Sequence, residues 1–316
     1  MKKIAFLKKH KALRITLISL VALFIIVCGL MASIVWNLHK NEVKTVAREQ
    51  IDTTVPNVSI AEKEQAADDV VNILLVGTDT RDPDAEMGRS DTMMMVSYNK
   101  TKNKAVVVSF LRDTLVDIEG HGTTKLTHAY AYGGVGLTIN TINDTYDLDI
   151  QNYVTISFDN LINVIDEIGG VEVPITAEEA DYYHKMGMPN VVEGVNLLTG
   201  SQALAHARNR TLGYDFERTR RQRTVLFGIY KKIMTEKKPS NILPLITYCM
   251  TQVDTNMSIS DLTDLAKDAL KNKDMEIESA SIPMSGTFED ETYDNMAVLV
   301  ADFDVNKEYL KDLMYD

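Results

Sequence analysis

The sequence has no excess of positive charge, no disulfide framework and no internal repeat. Acidic residues number 45 against 33 basic ones, giving a formal net charge of -12 over 316 residues. Nucleic-acid binders generally present a basic surface, so no nucleic-acid partner is expected. Any anion site must be a local basic cluster in an acidic protein. Only two cysteines are present, Cys28 inside an apolar run and Cys249 alone in the remainder. That excludes an intramolecular disulfide beyond the run, and it offers no zinc framework. No low-complexity segment is visible.

What is there begins at the N-terminus. Lys2, Lys3, Lys8, Lys9, Lys11 and Arg14 carry positive charge with no acid among them. The run Ile15–Trp36 that follows is almost wholly apolar. A bilayer takes ~20 residues to cross, so the run reads as a transmembrane helix. The basic flank keeps the N-terminus cytoplasmic, and Trp36 falls at the far interface. A cleaved signal peptide would carry a shorter apolar region of ~7–15 residues and a small-residue cleavage site, so an uncleaved anchor is the expectation. The chain then divides into a cytoplasmic tail (1–14), a span (15–36), a polar extracytoplasmic stalk (37–69) and a folded domain (70–316). The part beyond the span is more acidic than the whole.

Within the domain, Val70–Val76 is a nearly continuous apolar run, the pattern of a strand buried on both faces. Thr92–Tyr98 and Ala105–Phe110 are strands joined by the short polar Asn99–Lys104, which predicts a hairpin. Further strands are expected at Tyr153–Phe158, Val171–Ile175, Glu276–Ile282 and Met296–Val300. Helices are expected at Gly136–Tyr146, at Asp159–Ile168 with Asp159 near its N-cap, and from Thr199 or Ser201 through Arg208. More follow at Asp215–Glu236, Asn241–Gln252 and Ser258–Lys271, the last with a capping-box-like start. Asp304 is expected to cap a terminal helix. Strands and helices alternate, which predicts an α/β fold: an α/β/α sandwich with a central mixed β-sheet flanked by helices.

Five segments carry chemistry. Gly77 to Arg81 directly follows the first strand, and ligands of α/β sheets gather at the carboxyl ends of strands. That favours Asp79 and Arg81, although a solvated turn would use the same residues. Arg89 and Asp91 precede the second strand. If Asp79 and Asp91 converge, two carboxylates can hold one hard cation, the usual magnesium arrangement. Arg112 and Asp113 end the third strand, and antiparallel pairing puts the start of one strand beside the end of the next. Arg89, Asp91, Arg112 and Asp113 should therefore share an edge, joined by Asp79 if the first and third strands run parallel.

Arg208 and Arg210 sit two apart, so both reach one ligand only if their helix ends there. In the fifth segment, Asp215, Arg218 and Gln222 form a stripe continued by Val225, Leu226 and Ile229. The apolar end of the stripe must face the core, so its polar start points inward too. Arg221 lies beside the stripe and is counted with Arg81, Arg89, Arg112, Arg208, Arg210 and Arg218 as a candidate substrate-binding residue, while Arg220 and Arg223 are expected to face solvent. An inward arginine requires an anion. Arginine forks grip phosphate oxygens in bidentate fashion, and a metal-bound pyrophosphate matches so many.

These residues resemble the LytR-CpsA-Psr family of cell-wall glycopolymer ligases from about Asn72 to Lys232. The carrying pieces are Leu74 to Arg81, Arg89 to Thr92, Arg112 to Val116, Lys125 to Tyr130, Gly169 to Val173, Ala207 to Arg210 and Asp215 to Gln222. Their order and spacing are specific. The resemblance implies a phosphotransferase that attaches a polyprenyl-pyrophosphate-linked anionic glycopolymer (teichoic acid, capsule or similar) to peptidoglycan at the membrane. It implies magnesium or manganese on Asp79 and Asp91. It implies pyrophosphate on Arg89, Arg112, Arg208, Arg210 and Arg218, with Asp215 and Gln222 beside it, and an apolar tunnel for the lipid. Two departures stand out: Leu111 replaces the usual proline before Arg-Asp, and the loop Thr211–Tyr214 lacks acids often found there.

The chemistry expected is in-line displacement, with a peptidoglycan hydroxyl attacking the polymer-side phosphorus. Asp79 or Asp113 are the candidate bases. Competing readings are a non-catalytic polyprenyl-pyrophosphate-binding regulator, which would not need the two aspartates, and a pyrophosphatase, which would need no acceptor. Ser109 has no evident histidine partner, and His121, His128 and His206 read as loop or packing residues.

Overall fold

The structure, a computed structural model, describes residues 69–78, 90–235, 239–271 and 275–315. The basic tail, the apolar run and nearly all of the stalk lie outside these residues. Among the described residues, no helix is long and apolar enough to cross a membrane.

The chain opens with β1 (Val70–Thr78), β2 (Ser90–Asn99), β3 (Lys104–Phe110) and the small hairpin β4 (Leu115–Ile118) and β5 (Gly122–Lys125). The first long helix, α1 (Thr127–Tyr146), starts well before the expected Gly136. It is bent at Gly133–Gly134, where Gly134 takes φ 64° and ψ -156°. Only glycine adopts such angles without strain, so the glycine pair hides the helical turns ahead of it from a periodicity reading.

Strand β6 (Asn152–Ser157) leads into α2 (Phe158–Glu167). The N-cap is Ser157, whose hydroxyl accepts from the Asn160 amide, and not Asp159. Then come β7 (Val171–Ile175), α3 (Ala177–Lys185), β8 (Gly194–Leu198), α4 (Gly200–Arg208) and α5 (Asp215–Thr235). Capping boxes of Thr176 with Glu179 and of Thr199 with Gln202 start α3 and α4. The chain closes with α6 (Pro239–Thr251), β9 (Val253–Thr255), α7 (Ile259–Lys271), β10 (Glu276–Ile282), β11 (Phe288–Tyr293), β12 (Met296–Ala301) and α8 (Phe303–Tyr315). Ser258 and Asp261 cap α7 reciprocally. Asp302, rather than Asp304, accepts from the first turn of α8 through the Val305 amide.

The central sheet runs β10-β3-β2-β1-β6-β9. Strand β2 is antiparallel to both β1 and β3, which makes those two parallel to each other. Strands β6 and β10 run parallel to β1 and β3. The carboxyl ends of β1, β3, β6 and β10 therefore meet the start of β2 along one edge. This is the expected mixed sheet.

The faces of the sheet differ. Leu74, Val76, Met93 and Met95 point into a fully buried core with Ile139, Ile142 and Tyr146 of α1 and Leu310 and Leu313 of α8. The alternating residues Leu75, Met94, Val154 and Ile156 look the other way, toward α2, α4 and α5, and line a cavity. The continuous apolar run of β1 is thus not buried on both faces. One face packs, and the other walls a hollow. Beyond the hollow lies a second core of Ile165, Val171, Val173, Leu198, Ala203 and Val225. Gly228 lets α5 approach β7 closely, since a Cβ there would stand 2.9 Å from the Glu172 carbonyl oxygen.

Candidate active site

A β-bulge aims the first residue. Gly77 pairs with Thr92 and Thr78 with Ser90, leaving Asp91 as the extra residue in β2. Bulges re-aim side chains, often beside active sites. Here Asp91 Oδ1 accepts from Arg112 Nη1 at 2.5 Å and from Arg210 Nη2 at 3.0 Å. Arg112 follows β3 and Arg210 follows α4, so three elements converge on one carboxylate oxygen. The edge is braced by Thr127, whose amide donates to the Arg112 carbonyl and whose hydroxyl donates to the Ser90 carbonyl.

Arg112 Nε also stands 3.6 Å from Asp113 Oδ2 and 3.9 Å from Asp215 Oδ2. Asp113 is held from its other side by Lys125 Nζ at 2.8 Å. Asp215, in the first turn of α5, lies 3.3 Å from Arg218 Nη1. That last contact is an ion pair by distance without hydrogen-bond alignment, because Arg218 Nη1 and Nε are buried donors with no acceptor. Arg112 Nε is in the same condition.

Arg218 is 2% exposed. Burial holds its guanidinium below its ordinary pKa, Asp215 opposes this, and the neighbouring Arg112 and Arg210 reinforce it. Buried unpaired donors and crowded like charges are both costly. A multi-oxygen anion relieves them together. Arg208 joins from the end of α4, its guanidinium 4.5 Å from the Phe158 ring centroid. The helix ends after Arg208, since Asn209 is extended at φ -62° and ψ 119°. This break lets Arg208 and Arg210 reach one ligand, as the spacing required.

Behind the arginines lies the cavity, about 710 Å³ in volume. Its mouth carries Asp91, Arg208, Arg210, Arg218 and Gln222, and its depth is apolar, with Leu75, Ile156, Leu161, Leu226 and Ile229. The stripe Asp215, Arg218, Gln222, Val225 of α5 runs from the polar mouth into the apolar wall, as its spacing predicts. A charged rim over an apolar pocket suits an amphiphile with an anionic head.

Asp79, Arg81 and Arg89 lie outside the described residues, so the pairing of Asp79 with Asp91 belongs to the sequence reading alone. Among the described residues, no group of three or more His, Cys, Asp or Glu side chains is arranged to hold a metal. The donors that are described, Asp91 and the buried Asp215 Oδ2 without a hydrogen-bond donor, are hard oxygens. Hard oxygen is the donor type that magnesium takes, although Oδ1 of Asp91 already accepts from Arg112 and Arg210.

Two expectations about α5 change. Arg221 does not line the cavity. It is buried against Glu179 at 2.8 Å, and it donates to the carbonyls of Asn209 and Leu212. It therefore fixes the loop that carries Arg210 instead of meeting the ligand. Arg223 does not face solvent. It reaches the sheet and donates to Ser109 and Ser281, each at 2.8 Å. Arg220 bridges Glu217 and Glu179.

Glu179, which the sequence reading passed over, is the buried counter-charge of this region. Burial alone would raise its carboxyl pKa, but the Thr176 amide and Arg221 bring the balance below the ordinary value. Its sequence signal was the Thr176-x-x-Glu179 capping box. Of the three histidines noted in the sequence, His206 is buried and bonds Tyr183, His128 is half-buried and bonds Thr124, and His121 is exposed and stacks on Tyr132. Burial pushes the Cys249 thiol up to about 11, far from a reactive thiolate.

Residues 33–313 match the LytR_cpsA_psr family. One relative is the polyisoprenyl-teichoic acid–peptidoglycan teichoic acid transferase TagU of Enterococcus faecalis, 31% identical over 79% of this chain and 80% of the relative. Among solved structures, TagT bound to LI-WTA superposes with a TM-score of 0.66 at 27% identity, covering 81% of this chain and 95% of TagT. The LytR-CPS2A-psr family protein YwtF (TagT) with bound octaprenyl pyrophosphate lipid gives 0.63 at 27% identity, over 81% of this chain and 95% of that protein.

Proposed function

The chain belongs to the LytR_cpsA_psr family, and from that premise we propose that it transfers a polyprenyl-pyrophosphate-linked anionic glycopolymer, such as teichoic acid, onto peptidoglycan. One observation carries the reading: Arg208, Arg210 and Arg218 line an apolar cavity, Arg112 joins Arg210 on Asp91 beside them, and buried donors on Arg112 and Arg218 await an acceptor. The relative's name supplies the donor and acceptor classes. The bound lipid named for YwtF has the same two parts as the cavity, an anionic head and a prenyl tail.

In this mechanism the arginines hold the two phosphates, and the cavity holds the tail. A peptidoglycan hydroxyl oxygen bonds to the polymer-side phosphorus. The bridging P–O bond breaks, and polyprenyl phosphate leaves with the electron pair. The hydroxyl proton passes to a base. Asp113 is already held by Lys125 and Arg112, and its anion serves to balance the cluster. Arg218, buried and crowded, gains most as charge develops on the phosphate oxygens. Asp79 and Asp91 would hold magnesium or manganese, whose charge would further neutralise the diphosphate. The apolar run Ile15–Trp36 would anchor the chain in the membrane as a single span, with the domain outside the cell.

The test supplies purified full-length protein with the lipid-linked polymer and peptidoglycan. The expected result is a covalent wall product and released polyprenyl phosphate, both abolished by chelation and restored by magnesium. Release without acceptor would make the protein a pyrophosphatase. Binding without release would make it a regulator.

A further inference from the structure

Among the described residues, exposed large apolar side chains crowd into one segment: Met186, Val192, Val195 and Leu197 are 59%, 51%, 68% and 62% exposed. The others, such as Tyr132, Ile277 and Val305, stand on separate elements. The hairpin of β7 and β8 explains why this is unusual. Its inner face buries Val171, Val173, Ile175 and Leu198. Its outer face pairs Val195 with Pro174 and Leu197 with Glu172. An antiparallel pair with one face packed ordinarily presents polar residues on the other, yet this one presents Val195, Leu197 and Pro174 beside a single charged residue, Glu172, which is paired with Lys231. Exposed apolar clusters of this kind mark sites of association.

The patch is continuous with the cavity. Met186 and Met188 both line the hollow, and the turn carrying them is closed by the Val191 amide on the Met188 carbonyl at 3.2 Å. Val192 follows at once, tied to the hairpin by its bonds with Asn196. Met186 is thus cavity wall and exposed surface together. Charges near the patch are mixed: His184, Lys185 and Glu193 are its neighbours in sequence, and Glu172 on the same face is paired with Lys231. Apolar insertion, not attraction to anionic headgroups, is what this composition supports.

We propose that the outer face of the β7–β8 hairpin, with the Met186 turn, is a bilayer-docking surface through which the prenyl chain passes between membrane and cavity. This rests on the reading of the cavity as a polyprenyl site, because such a chain starts in a bilayer and crosses water at high cost.

The experiment uses full-length protein in phospholipid vesicles. In a Cys28→Ser/Cys249→Ser background, a fluorophore is placed through Leu197→Cys, or through Val305→Cys on α8 as a control. Spin-labelled lipids should quench the first and spare the second, with little effect of salt. Equal quenching at the two positions would overturn the proposal. In parallel, Val195→Ser/Leu197→Ser should slow transfer from a vesicle-embedded donor about tenfold, equivalent to ~1.4 kcal/mol, and leave a water-soluble short-prenyl donor unaffected. Equal slowing of both donors would also overturn it. Quenching requires no transfer, so a chain that docks without transferring would contradict the proposed function and leave the docking surface standing.

Discussion

Arg112 Nη1 lies 2.5 Å from Asp91 Oδ1 although 21 residues separate them. The antiparallel register of β2 and β3 brings the two together, and the bulge at Asp91 turns the carboxylate toward the arginine. The same oxygen holds Arg210, so one aspartate sets the spacing of two guanidinium forks.

Asp91→Asn should therefore damage transfer more than folding. The charge that spaces Arg112 and Arg210 is lost, and rates should fall by about 100-fold, in the range for one electrostatic group at a reacting centre. The thermal midpoint should move little, because the side chain is partly exposed. Steady-state transfer and a melting curve of the same preparation check this.

Arg218→Ala should lower transfer by ~100–1000-fold and leave stability unchanged or higher. The wild-type guanidinium is buried with donors unpaired, a burden that alanine removes. Inorganic pyrophosphate should raise the melting temperature of the wild type, by mass action on the folded state, and leave that of the variant nearly fixed. A strong loss of stability in Arg218→Ala would contradict the description of this residue as an anion receptor.

Glu179→Ala should destabilise the fold by about 3–5 kcal/mol, because it strands the Arg221 charge in the interior. Denaturant unfolding measures it. Transfer should fall only indirectly, through the Arg210 loop, and Arg221→Lys in the otherwise wild-type chain should lower it likewise, since lysine lacks the fork that reaches both loop carbonyls.

Acid should loosen the same region. Burial pushes the buried His206 down to about 4 from 6.5, with Glu179 opposing. Between those values the unfolded chain binds the proton and the folded one does not. Stability is therefore full above pH 6.5 and falls as the pH drops toward 4. The lowered Glu179 carboxyl acts in the same direction below its ordinary 4.5. Unfolding curves from pH 7 to 4 should show the decline, and His206→Gln should flatten its upper part.

Ile156→Trp should fill the middle of the cavity. Long-chain donors should bind about tenfold more weakly, near the value of one or two displaced methylenes, while a short-chain donor is spared. Mass spectrometry of lipid retained by the two proteins, with competition by both donors, reads the difference.

Much of the site was legible because local rules enforce it. Two apolar runs joined by a short polar link must pair antiparallel, and this alone places Asp91 beside Arg112. The α5 stripe must turn one way along its length, which carries Arg218 and Gln222 inward with Val225. The inward turn of Arg223 was not legible, because its partners Ser109 and Ser281 come from distant strands. The role of Arg221 was hidden for the same reason, since Glu179 lies 42 residues away. Strand β7 was legible from its alternation, with the expected bounds Val171–Ile175, but the hairpin β4–β5 and strand β8 were short and partly exposed, and they left little periodic signal.

The sequence by itself determined the mixed sheet, the edge on which acids and arginines gather, and the family, because strand alternation, helical period and motif spacing are local properties of the chain. Only the tertiary structure decided which arginines face the ligand and which brace the loops, and that one face of the central sheet stays open as a cavity. Those outcomes depend on which buried charge finds which counter-charge across the fold, and on how closely helices can approach the sheet. Neither is encoded in any single stretch of residues.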